Sequence, residues 1–209
     1  MSKGWEKIFY ILSFIFQGSS YLSPRAYGIM HRMHHAFADT EKDPHSPVYD
    51  KNFIAMMLRT KKIYNQIYTG KFPVEERFLG NLPTWDSFDR FADLWIMRIM
   101  WVVVYCLVYY MLGASLWMYL TLLPIQIIMG PFHGVIINWY AHRYGSVNFN
   151  LSDTSKNLFP VDFLMLGEGY HNNHHKRPMS PNFGYKWYEL DPIYPIIKFF
   201  MLAGIVKQA

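Results

Sequence analysis

A run of 44 residues without a single aspartate, glutamate, lysine or arginine extends from Ile99 to His142. As one continuous helix this run would be about 66 Å long, which is roughly twice the hydrocarbon thickness of a bilayer. One crossing is therefore too few, whereas two crossings fit, with a natural break at Gly113-Ala114-Ser115. The sequence predicts an all-α, helical integral membrane protein whose two-span transmembrane hairpin has its spans near 94–112 and 116–138.

The composition agrees with a multi-pass membrane protein, since hydrophobic residues make up 52% of the chain and charged residues only 17%. Soluble domains carry about 25% charged residues. The net charge of +5 is not gathered into one basic run, so membrane lipid is expected as a partner and nucleic acid is not. The single cysteine, Cys106, excludes an internal disulfide and a cysteine-based metal site.

A hairpin of two spans returns the chain to the side of the membrane on which it started. The segments before residue 94 and after residue 138 therefore face one compartment. Lysine and arginine flank the hairpin on both sides and are missing from its turn. By the positive-inside rule both flanks are cytoplasmic, and we predict a cytosolic, histidine-rich helical cap beside the membrane.

Six of the nine histidines lie in two H-x-x-H-H segments, HRMHH at 31–35 and HNNHH at 171–175. On a helix, positions i, i+3 and i+4 fall on one face, so the three imidazoles of each segment can approach one or two metal ions from the same side. Neutral imidazole binds iron, zinc, copper and nickel, so the ligand type alone does not identify the metal.

His142 is a seventh candidate ligand, because it ends the second predicted span and faces the same compartment as both histidine segments. Asn138 lies four residues earlier on the same helical face. We interpret the two remaining histidines as structural. His133 is predicted to be a hydrogen-bonded core residue, and His45 to be a turn residue in the proline-flanked sequence DPHSP.

Metal-bound histidines usually donate their second ring N–H to a carboxylate or a carbonyl. Acidic residues near the two segments are the candidates for this role, and the sequence does not separate them from ordinary surface charges. They are Asp39, Glu41, Asp43, Asp162 and Glu168.

Several other reaction classes have no motif in this chain. It contains no H-E-x-x-H zinc motif, nucleophile elbow, P-loop or dinucleotide glycine fingerprint. Zinc hydrolases also use fewer histidines than these seven. An all-histidine site supplied from a membrane indicates instead iron and dioxygen acting on a lipid.

Three stretches of the chain resemble the histidine boxes of one membrane enzyme family. HRMHHAFADTEKDPHSP is similar to the second histidine box of the membrane fatty acid desaturases, in a bacterial-like form of the acyl-CoA Δ9 type, and GEGYHNNHH is similar to the third. The N-x-x-x-H pattern at Asn138 and His142 resembles the ligand region between them. The resemblance extends through DTSKN and KWYELDP, so residues 1–209 are expected to form one desaturase domain.

The resemblance implies a cytosolic di-iron centre that uses O2 to introduce a cis double bond into a fatty acyl chain, in unsaturated fatty acid biosynthesis. The implied substrate is a fatty acyl-CoA or acyl lipid, with Δ9 the expected position. No heme-binding segment of the cytochrome b5 kind occurs in the chain, so the electron donor, a ferredoxin or cytochrome b5, is expected to be a separate protein. The implied iron ligands are His31, His34, His35, His142, His171, His174 and His175, with Asn138 holding an iron through a water.

The family also has a first histidine box upstream of the second, and this chain lacks one. We therefore expect the domain to be N-terminally incomplete, and the chain alone to produce little or no unsaturated product. Two alternatives stay open at this point. One is a related di-iron lipid hydroxylase, and the other is a non-catalytic or truncated metal-binding membrane pseudoenzyme.

Overall fold

The computed structural model describes residues 1–207, and the regular structure in this range is helical. Between these described residues the only β-type pairings are isolated bridges, from Ser146 to Asn157 and from Asn157 to Tyr170. The predicted all-α class is confirmed. The α-helices are α1 (Lys3–Gln17), α2 (Pro24–Phe37), α3 (Phe53–Tyr68), α4 (Asp86–Ala92), α5 (Trp95–Met111), α6 (Leu116–Ile127), α7 (Met129–Asn138), α8 (His171–Lys176) and α9 (Tyr194–Leu202), with short 3-10 turns at Gly18–Ser20, Glu76–Phe78 and Tyr140–His142.

None of the described helices is by itself both long enough and apolar enough to cross a bilayer. Two bent pairs meet the requirement for length and composition when their helices are combined. α4 and α5 form one pair with a bend of 58°, and α6 and α7, extended to His142, form the other with a bend of 66°. The predicted break is present, because α5 ends at Met111 and α6 begins at Leu116.

The bend between α6 and α7 has a local cause in the sequence. Pro131 has no N–H and so leaves the carbonyl of Ile127, four residues earlier, without its helical partner. The hydroxyl of Ser19 donates to that carbonyl at 2.9 Å, and the hydroxyl of Ser20 lies 3.3 Å from it. The sequence predicted one span near 116–138 here, and the structure instead has two helices, which meet near Ile128.

The chain divides into two compact units, and the first comprises Lys3–Met30 and Tyr64–Phe132. We call it the aromatic unit, because its core is a cluster of Phe14, Tyr21, Ala92 and Met97 with further aromatic rings packed against them. Asp89 is buried beside this core and accepts hydrogen bonds from the hydroxyls of Tyr21 at 2.7 Å and Ser23 at 2.8 Å. A buried carboxylate is stabilised by such donors.

The second unit comprises Met1–Ser2, His31–Ile63 and the chain from His133 onward. We call it the histidine unit, because all nine histidines belong to it. Much of it is irregular, so side chains form many of the hydrogen bonds to backbone groups that helices would otherwise satisfy. Arg59 on α3 donates to the carbonyl of Asp43 at 2.6 Å and to that of Ser46 at 2.9 Å, and also pairs with Asp50. This fixes the loop that follows the first histidine segment.

Candidate metal centre

The first histidine segment lies on the second half of α2. This helix begins with Pro24 at its first position, and the hydroxyl of the preceding Ser23 lies 3.4 Å from the backbone N–H of Ala26, as in an N-cap. Because the helix continues to Phe37, His31, His34 and His35 project from one face, as predicted.

The second histidine segment forms α8, a helix of only six residues that depends on its surroundings. The two asparagines between its histidines are each 1% exposed and tie it to the neighbouring loops. Asn172 accepts from the backbone N–H groups of Asn148 and Phe149 at 2.9 and 2.8 Å. Asn173 donates to the carboxylate of Glu189 at 2.8 Å and accepts from the amide of Asn157 at 3.0 Å. The two x positions of this H-x-x-H-H segment therefore anchor the helix.

His142 lies in the 3-10 turn Tyr140–His142, which follows α7. Its side chain is buried, and the backbone N–H of Lys156 donates to the carbonyl of Ala141 at 2.6 Å beside it. Asn138 is half-buried at the last residue of α7. The predicted helical face that they share is interrupted, because Trp139 separates α7 from the 3-10 turn.

The seven candidate histidines form two groups within the histidine unit. Within each group the potential ligand atoms all lie within 4.8 Å of one another. Group A consists of His34, His142, His171 and His175, and group B consists of His31, His35 and His174. Each group takes members from both sequence segments. The segments are thus mixed in space, and neither forms a separate site.

Three carboxylates hold histidines of group A by the ring nitrogen that faces away from the group. Nδ1 of His34 lies 3.0 Å from Asp43, and Nδ1 of His175 lies 3.1 Å from Asp153. Nδ1 of His142 lies 3.2 Å from the hydroxyl of Thr154 and 3.4 Å from Asp39. A carboxylate accepts a hydrogen bond from Nδ1–H, which keeps the proton on Nδ1 and leaves Nε2 free to bind a metal ion.

The contact between His34 and His175 tests whether a cation fits this group, since their Nε2 atoms are 3.0 Å apart. When each ring donates its Nδ1–H to its carboxylate and is otherwise neutral, each Nε2 presents a lone pair to the other. Two such lone pairs repel unless an electrophile lies between them. Two nitrogens bound at right angles to one ion at about 2.1 Å are about 3 Å apart, so this spacing suits neighbouring ligands of one metal ion.

The protonation states also favour a metal. Burial lowers the pKa of His31 to about 4, with a further contribution from the charge of His175. Burial and then the charge of His31 lower the pKa of His35 to about 3. Burial also holds the pKa values of His34, His171 and His174 well below the ordinary value. These rings are neutral near pH 7, which is the form that binds metal.

The histidines in turn change the pKa values of the carboxylates that they contact. Burial by itself would raise the pKa of Asp153, but the hydrogen bond and charge of His175 outweigh it and lower the pKa to about 2. The pKa of Asp39 is lowered in the same way, by His142 against the effect of burial. The more deeply buried Asp43 has a raised pKa, because desolvation prevails there.

Two of the five predicted acidic partners, Asp39 and Asp43, lie against candidate ligands, and three do not. Glu41 is exposed. Asp162 accepts from the backbone N–H groups of Met165 and Gly169 at 2.8 and 2.7 Å, so it shapes the loop before α8. Glu168 is half-buried near other acidic groups. Sequence reasoning missed Asp153, whose signal was its place in DTSKN, a stretch noted only for its family resemblance.

The two histidines predicted to be structural both have buried ring nitrogens without a hydrogen-bond partner among the described residues, although His45 lies in a turn as predicted. His45 is buried in the DPHSP loop, and its ring centroid is 4.1 Å from that of His34. Within residues 1–207, neither of its ring nitrogens has a hydrogen-bond partner. With His34 and Asp43 it forms a third set of potential ligand atoms. His133 is half-buried, but its Nε2 has no hydrogen-bond partner in the described part of the chain, so the predicted hydrogen-bonded core role is wrong at that atom.

Comparison with known proteins agrees with this chemistry. The sequence model of the fatty acid desaturase family matches residues 2–206. An sn-1 stearoyl-lipid 9-desaturase of Synechocystis sp. is 30% identical over 186 residues, which cover 86% of this chain and 53% of the relative. The Delta-9 desaturase-like 3 protein of Arabidopsis thaliana is 29% identical over 193 residues, which cover 85% of this chain and 57% of the relative.

A third relative is named for an acyl-CoA substrate, whereas the Synechocystis relative is named for a lipid substrate. An acyl-CoA 5-desaturase of Anemone leveillei is 28% identical over 182 residues, which cover 85% of this chain and 53% of the relative. The chain thus spans about half the length of the curated relatives that it matches. No solved structure matches the chain significantly.

Proposed function

This chain belongs to the fatty acid desaturase family, and from that premise we propose that it is a di-iron oxidoreductase that desaturates a fatty acyl chain with O2. The observation that carries the proposal is the pairing of groups A and B, two adjoining sets of buried or half-buried histidines whose ring nitrogens converge. Four imidazoles in one group and three in the other suit two ions of a metal that accepts nitrogen ligands.

We assign the ligands of the two irons by group. His34, His142, His171 and His175 would hold one iron, and His31, His35 and His174 the other. From the family resemblance, we assign Asn138 to bind through a water. Iron bound there would supply the activation of O2. Asp43, Asp153 and Asp39 would keep the Nδ1 protons of their histidines in place, so that each Nε2 stays directed towards the ion.

The finer features of the proposal concern substrate and location. We propose a fatty acyl-CoA as the substrate and Δ9 as the position of the cis double bond. An acyl lipid is the alternative head group, since the names of the relatives include both kinds. We further propose that the bent pairs α4–α5 and α6–α7 form the membrane hairpin, with the histidine unit on the cytoplasmic side and a ferredoxin or cytochrome b5 as the separate electron donor.

Expression in a host without its own desaturase tests the proposal. The 209 residues, and the longest reading frame that contains them, are each expressed as wild type and as His171→Ala, followed by fatty-acid profiling and iron analysis. We expect cis-unsaturated fatty acids from the longer form, little from the 209 residues alone, and none from either His171→Ala form. Hydroxylated acyl chains would favour the hydroxylase alternative. Fewer than two irons per chain in the longer form, with no product, would favour the pseudoenzyme.

A further inference from the structure

The chain that follows the second histidine segment forms an exposed surface of mixed basic and aromatic character. We call it the α8 rim and define it by Lys176, Arg177, Tyr185, Lys186 and Trp187. All five residues are exposed, and Trp187, at 91%, is the most exposed of the large hydrophobic residues described. Side chains of tryptophan, tyrosine and arginine are those most often found at the energetic centre of protein interfaces.

The α8 rim carries three positive charges that the described residues leave without an ion-pair partner: Lys176, Arg177 and Lys186. The nearby carboxylate of Glu189 does not neutralise them from the surface. It is buried and accepts hydrogen bonds from the backbone N–H groups of Tyr185 and Lys186 and from two asparagine amides. The rim therefore presents a positive field to an approaching partner.

The ring of Tyr185 in the rim is held in place before any partner arrives. The guanidinium of Arg177 lies 4.9 Å from the ring centroid of Tyr185 and 5.8 Å from that of Phe149. The rings of Phe149 and Tyr185 are themselves packed edge to face at 4.7 Å. A pre-organised surface loses less conformational entropy on binding than a mobile one.

The rim is directly connected to the histidine groups. Lys176 follows His175 of group A in the sequence, on the same short helix. Behind the rim, the ring of Phe183 lies 4.2 Å from the ring of His174 of group B, and its carbonyl accepts from the amide of Asn173 at 2.9 Å. A molecule bound on the rim would therefore lie beside both groups.

We propose that the α8 rim is the docking surface for the electron donor, a small acidic one-electron carrier protein. This inference rests on the proposed function, whose reaction requires such a donor. Forming a C=C bond removes two electrons and two protons from the acyl chain, whereas reducing O2 to two water molecules takes four of each. Two electrons, delivered one at a time, and two protons from solvent must make up the difference. A positive rim attracts an acidic carrier and speeds its association.

Binding measurements with charge-reversal variants test the docking surface. The full chain, loaded with iron in detergent micelles, is titrated with an acidic plant-type ferredoxin at low and high salt. For Lys176→Glu/Lys186→Glu we expect affinity to fall at least about tenfold at low salt, and the difference to vanish near 1 M salt, because exposed charges are then screened. Lys176→Arg/Lys186→Arg should bind as wild type does. Lys51→Glu/Lys61→Glu, at exposed sites elsewhere in the histidine unit, is the matched control.

The outcomes separate this inference from the proposed function. Equal ferredoxin affinity for wild type and Lys176→Glu/Lys186→Glu would overturn the docking surface, whatever the activity. The docking surface would also be overturned if Lys176→Glu/Lys186→Glu lost binding to phosphatidylserine vesicles but kept its binding to ferredoxin, since the rim would then be a lipid contact. Iron content and the rate of reduction by dithionite test the metal site of groups A and B independently of the rim. If the wild type binds no iron, the proposed function is refuted, and the docking inference that rests on it is refuted as well.

Discussion

Oδ2 of Asp153 lies 3.1 Å from Nδ1 of His175, although the two residues are 22 positions apart and only the histidine belongs to a recognisable segment. The carboxylate fixes the tautomer of the ring and therefore the direction of Nε2, which lies 3.0 Å from Nε2 of His34. A single loop carboxylate thus orients one of the rings that join the two histidine segments.

Asp153→Asn is expected to lower iron affinity by about 10-fold to 100-fold, because the amide no longer attracts the Nδ1 proton as the carboxylate does. Competition with a chelator, followed by iron analysis, measures the change. Glu41→Gln is the matched control, since Glu41 is an exposed acid in the loop after the other histidine segment. If both variants retained iron equally, the orienting role of Asp153 would be refuted.

Separate substitutions in the two histidine groups are expected to remove separate ions. His171→Gln should weaken the iron held by group A, and His31→Gln the iron held by group B, so each variant keeps about one of two equivalents. Iron analysis and Mössbauer spectra of the loaded protein follow each site. His133→Gln, outside both groups, should keep both ions. Loss of all iron from each ligand variant would indicate one shared site and would contradict the division.

The sequence was sufficient for the parts of the site that depend on local periodicity. His31, His34 and His35 share a face because the helix repeat requires it, and that spacing is visible in the sequence. The prediction that His142 joins the two segments depended on the hairpin returning the chain to one side. The structure brings His142 to 3.1 Å from His171, measured between their Nε2 atoms.

The parts that the sequence did not predict depend on long-range hydrogen bonds in irregular loops. Asn172 and Asn173 filled the variable positions of the second segment, and nothing local marks them as anchors for a loop more than 20 residues earlier. The five candidate acidic residues could not be told apart from the sequence for the same reason. A carboxylate becomes a histidine partner through the path of its loop, which no periodicity encodes.

Gly145→Ala is expected to disrupt the loop that carries Asp153 and Thr154. Gly145 has φ of +120°, which L-residues rarely adopt, and a Cβ there would collide with the carbonyl of Asn157. That carbonyl accepts from Ser146 at 2.8 Å in the bridge that closes the loop. We expect a destabilisation of at least about 1–3 kcal/mol from backbone strain alone. Thermal unfolding of the purified protein measures the loss.

Gly80→Ala is the matched control for that change, because Gly80 has no positive φ and a Cβ there would meet open space. It should unfold at the wild-type temperature or slightly above, since alanine reduces the entropy of the unfolded chain. Wild-type stability and iron content in Gly145→Ala would contradict the proposed constraint on the loop.

Glu168→Gln is expected to stabilise the protein at alkaline pH and to have little effect at acidic pH. Burial, with the charges of Asp191 and Asp162, raises the pKa of Glu168 from 4.5 to about 7. Between these values the folded state holds a proton that the unfolded state releases, so stability falls as pH rises through that window. Above pH 7 the ionised side chain lowers the free energy of unfolding by up to about 3 kcal/mol, because a difference of one unit in pKa corresponds to 1.36 kcal/mol.

Glutamine stays neutral at every pH and removes this cost. Melting temperatures of wild type and Glu168→Gln, compared from pH 4.5 to pH 8, should therefore diverge with rising pH, the variant melting higher at pH 8. Glu76→Gln, at an exposed carboxylate, should show no such divergence. Because both proteins share every other titrating group, those contributions cancel in the comparison. Parallel curves for Glu168→Gln and wild type would mean that the carboxyl is ionised in the folded protein at pH 4.5 to 7.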